Sequence, residues 1–130
     1  GCWRTRHGLT DTGALITCRI PKARSLSDRL CDGDMDEAAW QAVGTVVGQF
    51  HAEQVWHADL NVANLLCDAQ DHWHLIDLDR ARIRAGRYWA AGNLKRLRRS
   101  VDKLLANNPQ AALSAQGWTT MLDAYRAAVA

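Results

Sequence analysis

His57-Ala58-Asp59-Leu60-Asn61-Val62-Ala63-Asn64-Leu65-Leu66 decides how this chain is read. Thirteen residues after Asn64 stands Asp77, in Leu75-Ile76-Asp77-Leu78-Asp79-Arg80. Between them, Leu65–Cys67 and His74–Ile76 are short apolar runs around the turn residues Asp68–Asp71, which predicts a hairpin. Upstream, Ala39, Trp40, Val43, Val46, Val47 and Phe50 repeat at helical spacing. That predicts an amphipathic helix over 35–55, with Asp34 and Glu37 as a capping box. The order is a long helix, an irregular polar loop over 56–64, a hairpin, then an Asp after an apolar strand.

This order suits phosphoryl transfer. A hydroxyl acceptor is a poor nucleophile and needs a carboxylate to orient it and take its proton. Asp59 fits that role. A divalent cation such as Mg²⁺ wants oxygen ligands and binds phosphates as well. Asn64 offers an amide oxygen and Asp77 a carboxylate, one on each side of the hairpin. A lone D-x-x-x-x-N is a weak signal, since composition alone yields one in about a quarter of chains this long. Adding His57, Asp77 and the flanking apolar pattern lowers chance to about one in a thousand. Asn and Asp are also ordinary turn residues, which is the bland alternative. His57 reads as a packing and hydrogen-bonding residue rather than a reactive one. Asp79 and Arg80 either brace the loop or touch substrate.

Outward from this core, the run Leu15–Ile20 follows a turn signal at Asp11–Gly13 and reads as a strand, ended by Pro21. Ser25–Leu30 reads as a short helix. Leu94, Leu97, Val101, Leu104 and Leu105 predict a second long helix, stopped near Asn107-Asn108-Pro109. Trp118, Met121, Leu122, Tyr125 and Val129 predict a third. His7, His51, His72 and His74 lack ligand-like spacing. The fold class is α+β, mainly helical.

The chain has 130 residues and a mass of 14.5 kDa, enough for one modest core. With 48% apolar and 23% charged residues it is an ordinary globular composition, not a disordered, collagenous or coiled-coil one. No apolar run approaches the ~20 residues of a membrane-spanning helix. No secretory signal pattern opens the chain, which begins Gly-Cys-Trp rather than Met, and it is expected to be a piece of something longer. The cysteines Cys2, Cys18, Cys31 and Cys67 form no C-x-x-C pair and read as reduced thiols, mostly buried. The net charge of +2 hides an asymmetry: residues 1–79 sum to −6 and residues 80–103 to +8. That basic segment attracts anions, although it also reads as a solvated helix face. With Tyr88 and Trp89 as its only aromatics it fits no nucleic-acid module.

The loop His57–Leu66 and the segment Leu75–Arg82 resemble the protein-kinase-like superfamily, on its small-molecule side. Asn61 stands where protein kinases usually carry Lys, and Asp77-Leu78-Asp79 stands in place of D-F-G. Both departures argue against a protein substrate. The pattern is similar to that of the 3-deoxy-D-manno-octulosonic acid (Kdo) kinases: H-A-D-L-N-x-x-N-[IL]-L matches the loop, and I-D-[FL]-D-R matches Ile76–Arg80. N-L-x-R-L-x-R-S-[LV]-x-K-L matches Asn93–Leu104. The Leu15–Leu30 segment looks like that family's hinge and following helix.

The resemblance implies the C-terminal lobe of a kinase-like fold: residues 1–20 as the end of an N-terminal lobe and hinge, and 21–130 as the C-terminal lobe. Within the latter fall a catalytic loop over 56–66, a metal-Asp segment over 75–80 and a helical remainder over 92–130. The acceptor would be the 4-hydroxyl of Kdo on a lipid A precursor, the donor ATP with Mg²⁺ or Mn²⁺. Asp59 would be the base, Asn64 and Asp77 the metal ligands, and the backbone near Cys18 and Ile20 would face adenine. His57, Asn61 and Arg80 would support the loop or touch substrate. The basic segment would hold the Kdo carboxylate, lipid phosphates or the cytoplasmic face of the bacterial inner membrane. The chain contains no G-x-G, and its only lysines are Lys22, Lys95 and Lys103. The phosphate-covering loop and the phosphate-clamping Lys therefore lack counterparts here, and these residues alone are expected to transfer phosphate poorly. Three other readings stay open: a heptose or aminoglycoside-type kinase, a non-catalytic lobe used for binding, and a basic anion-binding helical protein.

Overall fold

The computed structural model describes the backbone of residues 2–7 and 10–15, and backbone and side chains of residues 19–130. Strands β1 (Cys2–His7) and β2 (Thr10–Leu15) pair antiparallel, Cys2 opposite Leu15. The expected turn at Asp11–Gly13 is therefore strand, and of the expected strand Leu15–Ile20 Leu15 ends β2 while residues 16–18 lie outside the described residues. Residues 19 and 20 have no regular structure, and Cys18 lies outside the described residues.

Strand β3 (Arg24–Ser25) leads directly into helix α1 (Leu26–Cys31). Ser25 caps α1 by accepting from Asp28 N, while the Asp28 carboxylate accepts from Ser25 N. This is the reciprocal capping box, placed one helix earlier than expected. Helix α2 (Glu37–Ala52) is capped by Asp36, whose side chain accepts from Ala39 N at 2.8 Å. Asp34 instead pairs with Arg24, and its carbonyl accepts from Arg29 Nε. The predicted span 35–55 shrinks because Gln54 turns into the left-handed region, with φ 61°, and frees the chain for strand β4 (Val55–Trp56).

Strands β5 (Leu65–Cys67) and β6 (Trp73–Leu75) form the expected hairpin, Leu65 opposite Leu75, and β3 joins it on the β5 side. Leu65, Cys67, Trp73 and Leu75 are buried, while Leu66 and His74 face the half-exposed side. Strand β7 (Arg82–Ile83) pairs with β4, so Trp56 belongs to a strand rather than to the loop. Helix α3 (Ala90–Asn107) begins before the first apolar residue of its stripe, and helix α4 (Ala115–Val129) closes the chain, capped by Ser114.

Helices α2 and α4 pack closely because Gly44 and Gly48 lie on the seam. A Cβ at Gly44 would collide with the Met121 carbonyl, and one at Gly48 would sit 2.5 Å from Ala128 Cβ. Trp40 meets the Trp118 ring edge-on at 6.4 Å. Val43, Val47, Leu97, Val101 and Met121 are fully buried, each contributing about 1.5–3 kcal/mol. No helix among the described residues is long and apolar enough to cross a membrane.

Candidate active site

The loop after β4 has little regular structure, yet none of its buried side-chain polar atoms lacks a partner. The Asp59 N–H donates to His57 Nδ1 at 3.0 Å, and His57 Nε2–H donates to the Ile76 carbonyl at 2.8 Å. These partners fix the His57 tautomer: a backbone N–H demands an acceptor at Nδ1, and a carbonyl demands a donor at Nε2. His57 is thus a buried tie between Asp59 and the residue just before Asp77.

The loop is held from below by a chain of buried side chains. Asn93, on the first turn of α3, donates from Nδ2 to the His57 carbonyl at 2.8 Å and accepts the His57 N–H at 3.3 Å. Its Oδ1 also accepts from His51 Nε2 at 3.2 Å, and His51 Nδ1 then accepts the Tyr125 hydroxyl at 2.9 Å. Burial pushes the His51 imidazole below its ordinary pKa, opposed by the bond to Asn93. Burial likewise pushes the Tyr125 phenol up. Three helices thereby converge on one backbone unit of the loop. On the other side, Ser100 of α3 accepts the Val62 N–H at 3.2 Å, and the Val62 carbonyl accepts from Ser27 N.

Asp59 is left reachable. Its side chain is 43% exposed. Asn61 donates to one carboxylate oxygen at 2.8 Å, and Arg96 Nη1 lies 3.7 Å from the other. Asn64 donates from Nδ2 to the Asp59 carbonyl at 2.9 Å, which leaves the amide oxygen as the atom for a cation. The Asn64 carbonyl accepts from Ile76 N, so Asn64 and the residue before Asp77 are backbone neighbours. Asp77 is exposed and adopts the left-handed region at φ 62°. A non-glycine residue there carries strain of order 1–3 kcal/mol, a feature common at functional turns.

The donor set fits a hard divalent cation bound together with phosphates. One amide oxygen and one carboxylate leave most of an octahedron to phosphate and water oxygens, the usual Mg²⁺ arrangement. Among the described residues no group of three His, Cys, Asp or Glu could hold a metal alone.

Other expected residues fall elsewhere. Ile20 lines a cavity of about 480 Å³ with Arg19, Pro21, Lys22, Asp68 and His74, at the far end of the hairpin from Asn64. Arg80 is exposed on the turn after Leu78 and makes no hydrogen bond or ion pair among the described residues, so bracing of the loop by Arg80 is not seen. At the hairpin tip, hydrogen bonding from His74 and from the backbone at His72 and Gln70 brings the Asp68 carboxyl down to about 2. Cys67 is a buried free thiol 3.2 Å from Arg29, and burial pushes its pKa up despite that cation. It is a packing residue, as read, whereas Cys31 is only half-buried.

Sequence reasoning missed His51, Tyr125 and the anchoring role of Asn93. The available signal was small: a polar residue on the otherwise apolar inward face of each helix.

The family model described as lipopolysaccharide kinase (Kdo/WaaP) family matches residues 2–125. The chain is 36% identical over 121 residues to 3-deoxy-D-manno-octulosonic acid kinase of Photobacterium profundum, covering 93% of this chain and 51% of that protein. It is 36% identical over 98 residues to the same kinase of Vibrio cholerae serotype O1, covering 75% and 42%. Against that of Xanthomonas euvesicatoria it is 43% identical over 104 residues, covering 78% and 41%. The chain spans about half the length of the curated relatives it matches. The family match takes in the loop, the hairpin and the helix that carries Asn93, and the chain belongs to the lipopolysaccharide kinase (Kdo/WaaP) family.

Proposed function

We propose that this lobe, in a chain extended to the length of its relatives, transfers the γ-phosphoryl group of ATP to the 4-hydroxyl of Kdo on a lipid A precursor. The observation that carries the reading is the union of Asp59, Asn64 and the Asp77 turn through two bonds, Asn64 Nδ2 to the Asp59 carbonyl and Ile76 N to the Asn64 carbonyl. The acceptor oxygen attacks the γ-phosphorus, the bond to the β–γ bridging oxygen breaks, and ADP leaves. Asp59 orients the hydroxyl and takes its proton. Asn64 and Asp77 would hold Mg²⁺ or Mn²⁺, which would neutralise charge on the phosphate oxygens. Residues 1–20 supply the end of the N-terminal lobe and the hinge, and the cavity beside Ile20 suits the adenine end of the nucleotide. His57 positions the loop without reacting.

The kinase activity of the named relatives, the site geometry and the basic segment support the rest of the reading. The protein works at the cytoplasmic face of the inner membrane, touching it through residues 80–103. The lobe alone is weak, because it has neither the glycine-rich loop nor the phosphate-clamping Lys.

The test is incubation of the extended chain with Mg·ATP and a Kdo-bearing lipid A precursor, read by mass spectrometry beside Asp59→Ala. A gain of one phosphate that vanishes in the variant supports the reading. Nucleotide binding without gain rejects Kdo as the acceptor and points to another sugar hydroxyl. Neither binding nor gain rejects the enzyme reading.

A further inference from the structure

We propose that Arg96 is the acceptor's anion-binding residue, holding a carboxylate of the acceptor beside the hydroxyl that Asp59 activates. The inference rests on the phosphotransfer reading above and gives it a specificity residue.

Four observations support it. First, Arg96 is the cation at the base: its Nη1 lies 3.7 Å from Asp59, and its side chain is 48% exposed. Second, its place is rigid. Asn93, three residues earlier on α3, grips the His57 backbone, and Ser100, four residues later, holds the Val62 N–H. Residues at those spacings share one helix face. Arg96 therefore stands between two anchors that tie α3 to the loop, and its distance from Asp59 is set by the fold.

Third, the ion pair explains little by itself. A long, half-exposed pair adds little to stability because solvent screens it. The arrangement becomes favourable if an incoming anion takes the guanidinium and releases Asp59 to the hydroxyl. The planar guanidinium fork matches a carboxylate bidentately, which a Lys at this position would not. Fourth, the neighbouring arginine is engaged elsewhere: Arg98 pairs with Asp102 at 2.9 Å and stacks over Trp118. The basic segment is thus divided, with one cation at the base and another bound into the helix surface.

An acceptor read by Arg96 must carry its anion within a few ångströms of the accepting hydroxyl, which a sugar acid does. The test compares the extended protein with its Arg96→Gln and Arg96→Lys variants, with Arg126→Gln as a remote control. Two readouts are taken: KM for the Kdo-bearing lipid A precursor and for ATP, and calorimetric binding of free Kdo against its methyl ester. We expect Arg96→Gln to raise the acceptor KM about tenfold or more, the scale of one lost charge-assisted pair, with the ATP KM unchanged. The wild type should prefer Kdo to the ester about tenfold, and Arg96→Gln should lose that preference. Arg96→Lys should recover only part of it. An active Arg96→Gln enzyme with unchanged acceptor KM and preference overturns the inference and leaves the kinase reading intact. A wild type that neither phosphorylates nor binds Kdo overturns that reading, and with it the sugar-acid ligand of Arg96.

Discussion

The loop from His57 to Asn64 and the segment from Asp77 to Tyr88 flank the same hairpin, and both are short of regular structure. They are built in opposite ways. In the loop, His57 and Leu60 are buried, and the backbone groups of His57, Asp59, Val62 and Asn64 find partners in α1, α3, the hairpin and the loop's own side chains. In the segment, Leu78 is 40% exposed, Ile83 73% and Tyr88 84%. Its ties include a turn from Leu78 to Ala81, the β4–β7 pair, the Arg84 N–H on the Gln54 carbonyl, the Arg84 guanidinium over the Trp56 ring, and the Arg84 and Val129 carbonyls accepting from Trp89 Nε1–H and Arg87. A loop can hold its side chains within a fraction of an ångström only when its buried polar groups are bonded, which the proposed base and metal ligand would require. Under the proposed membrane contact, the exposed cations and apolar side chains of this segment would be the groups that meet lipid.

The contrast breaks most visibly at Asn93. Asn93→Ala leaves the His57 N–H and carbonyl unpaired in a dry site, at about 1–3 kcal/mol for each orphaned group. We expect a loss of about 3 kcal/mol in urea unfolding of the chain and a fall in kcat of the extended enzyme. A loss below about 0.5 kcal/mol would show that the loop does not depend on α3. Ser100→Ala removes a single acceptor, that of the Val62 N–H, and is expected to cost about 1 kcal/mol by the same measurement.

Acid sharpens the comparison without mutation. The folded-state pKa of His51 is depressed by burial below its ordinary value of 6.5. The unfolded chain therefore binds more protons below about pH 6.5, and stability falls as pH drops through that region toward the folded value. Denaturant midpoints taken from pH 7.5 to 5 should decline, with a shallower slope in His51→Gln. An identical slope would mean that the buried imidazole does not contribute.

The smallest effect is expected in the open segment. Ile83→Ser with Tyr88→Ser should change stability by no more than about 0.5 kcal/mol, as for ordinary surface sites. The same pair should weaken binding of the extended protein to vesicles containing anionic lipid. A large stability loss would show that the segment is packed like the loop.

Much was legible in the sequence because it was local. The apolar stripes of α2, α3 and α4 and the hairpin around Asp68–Asp71 follow from period and turn chemistry, which act within a few residues. The spacing of Asp59, Asn64 and Asp77 was legible too, because a loop and a hairpin set it. Ends were read less well: Asp34 looked like the cap of α2, but the chain uses Asp36, and which of two nearby Asp residues caps depends on where the preceding turn leaves the backbone.

By itself, then, the sequence determined the mainly helical α+β class, the hairpin and the spacing of Asp59, Asn64 and Asp77 that the proposed phosphotransfer uses. Tertiary structure alone decided what holds that constellation and what stands beside it. The His51–Tyr125 bond joins residues 74 apart and the Asn93–His57 bonds join residues 36 apart. A single polar residue on an apolar face has no periodic signature, and its partner exists only once the helices have packed. The same holds for Arg96, one of nine cations in its segment and the one that the register of α3 brings to Asp59.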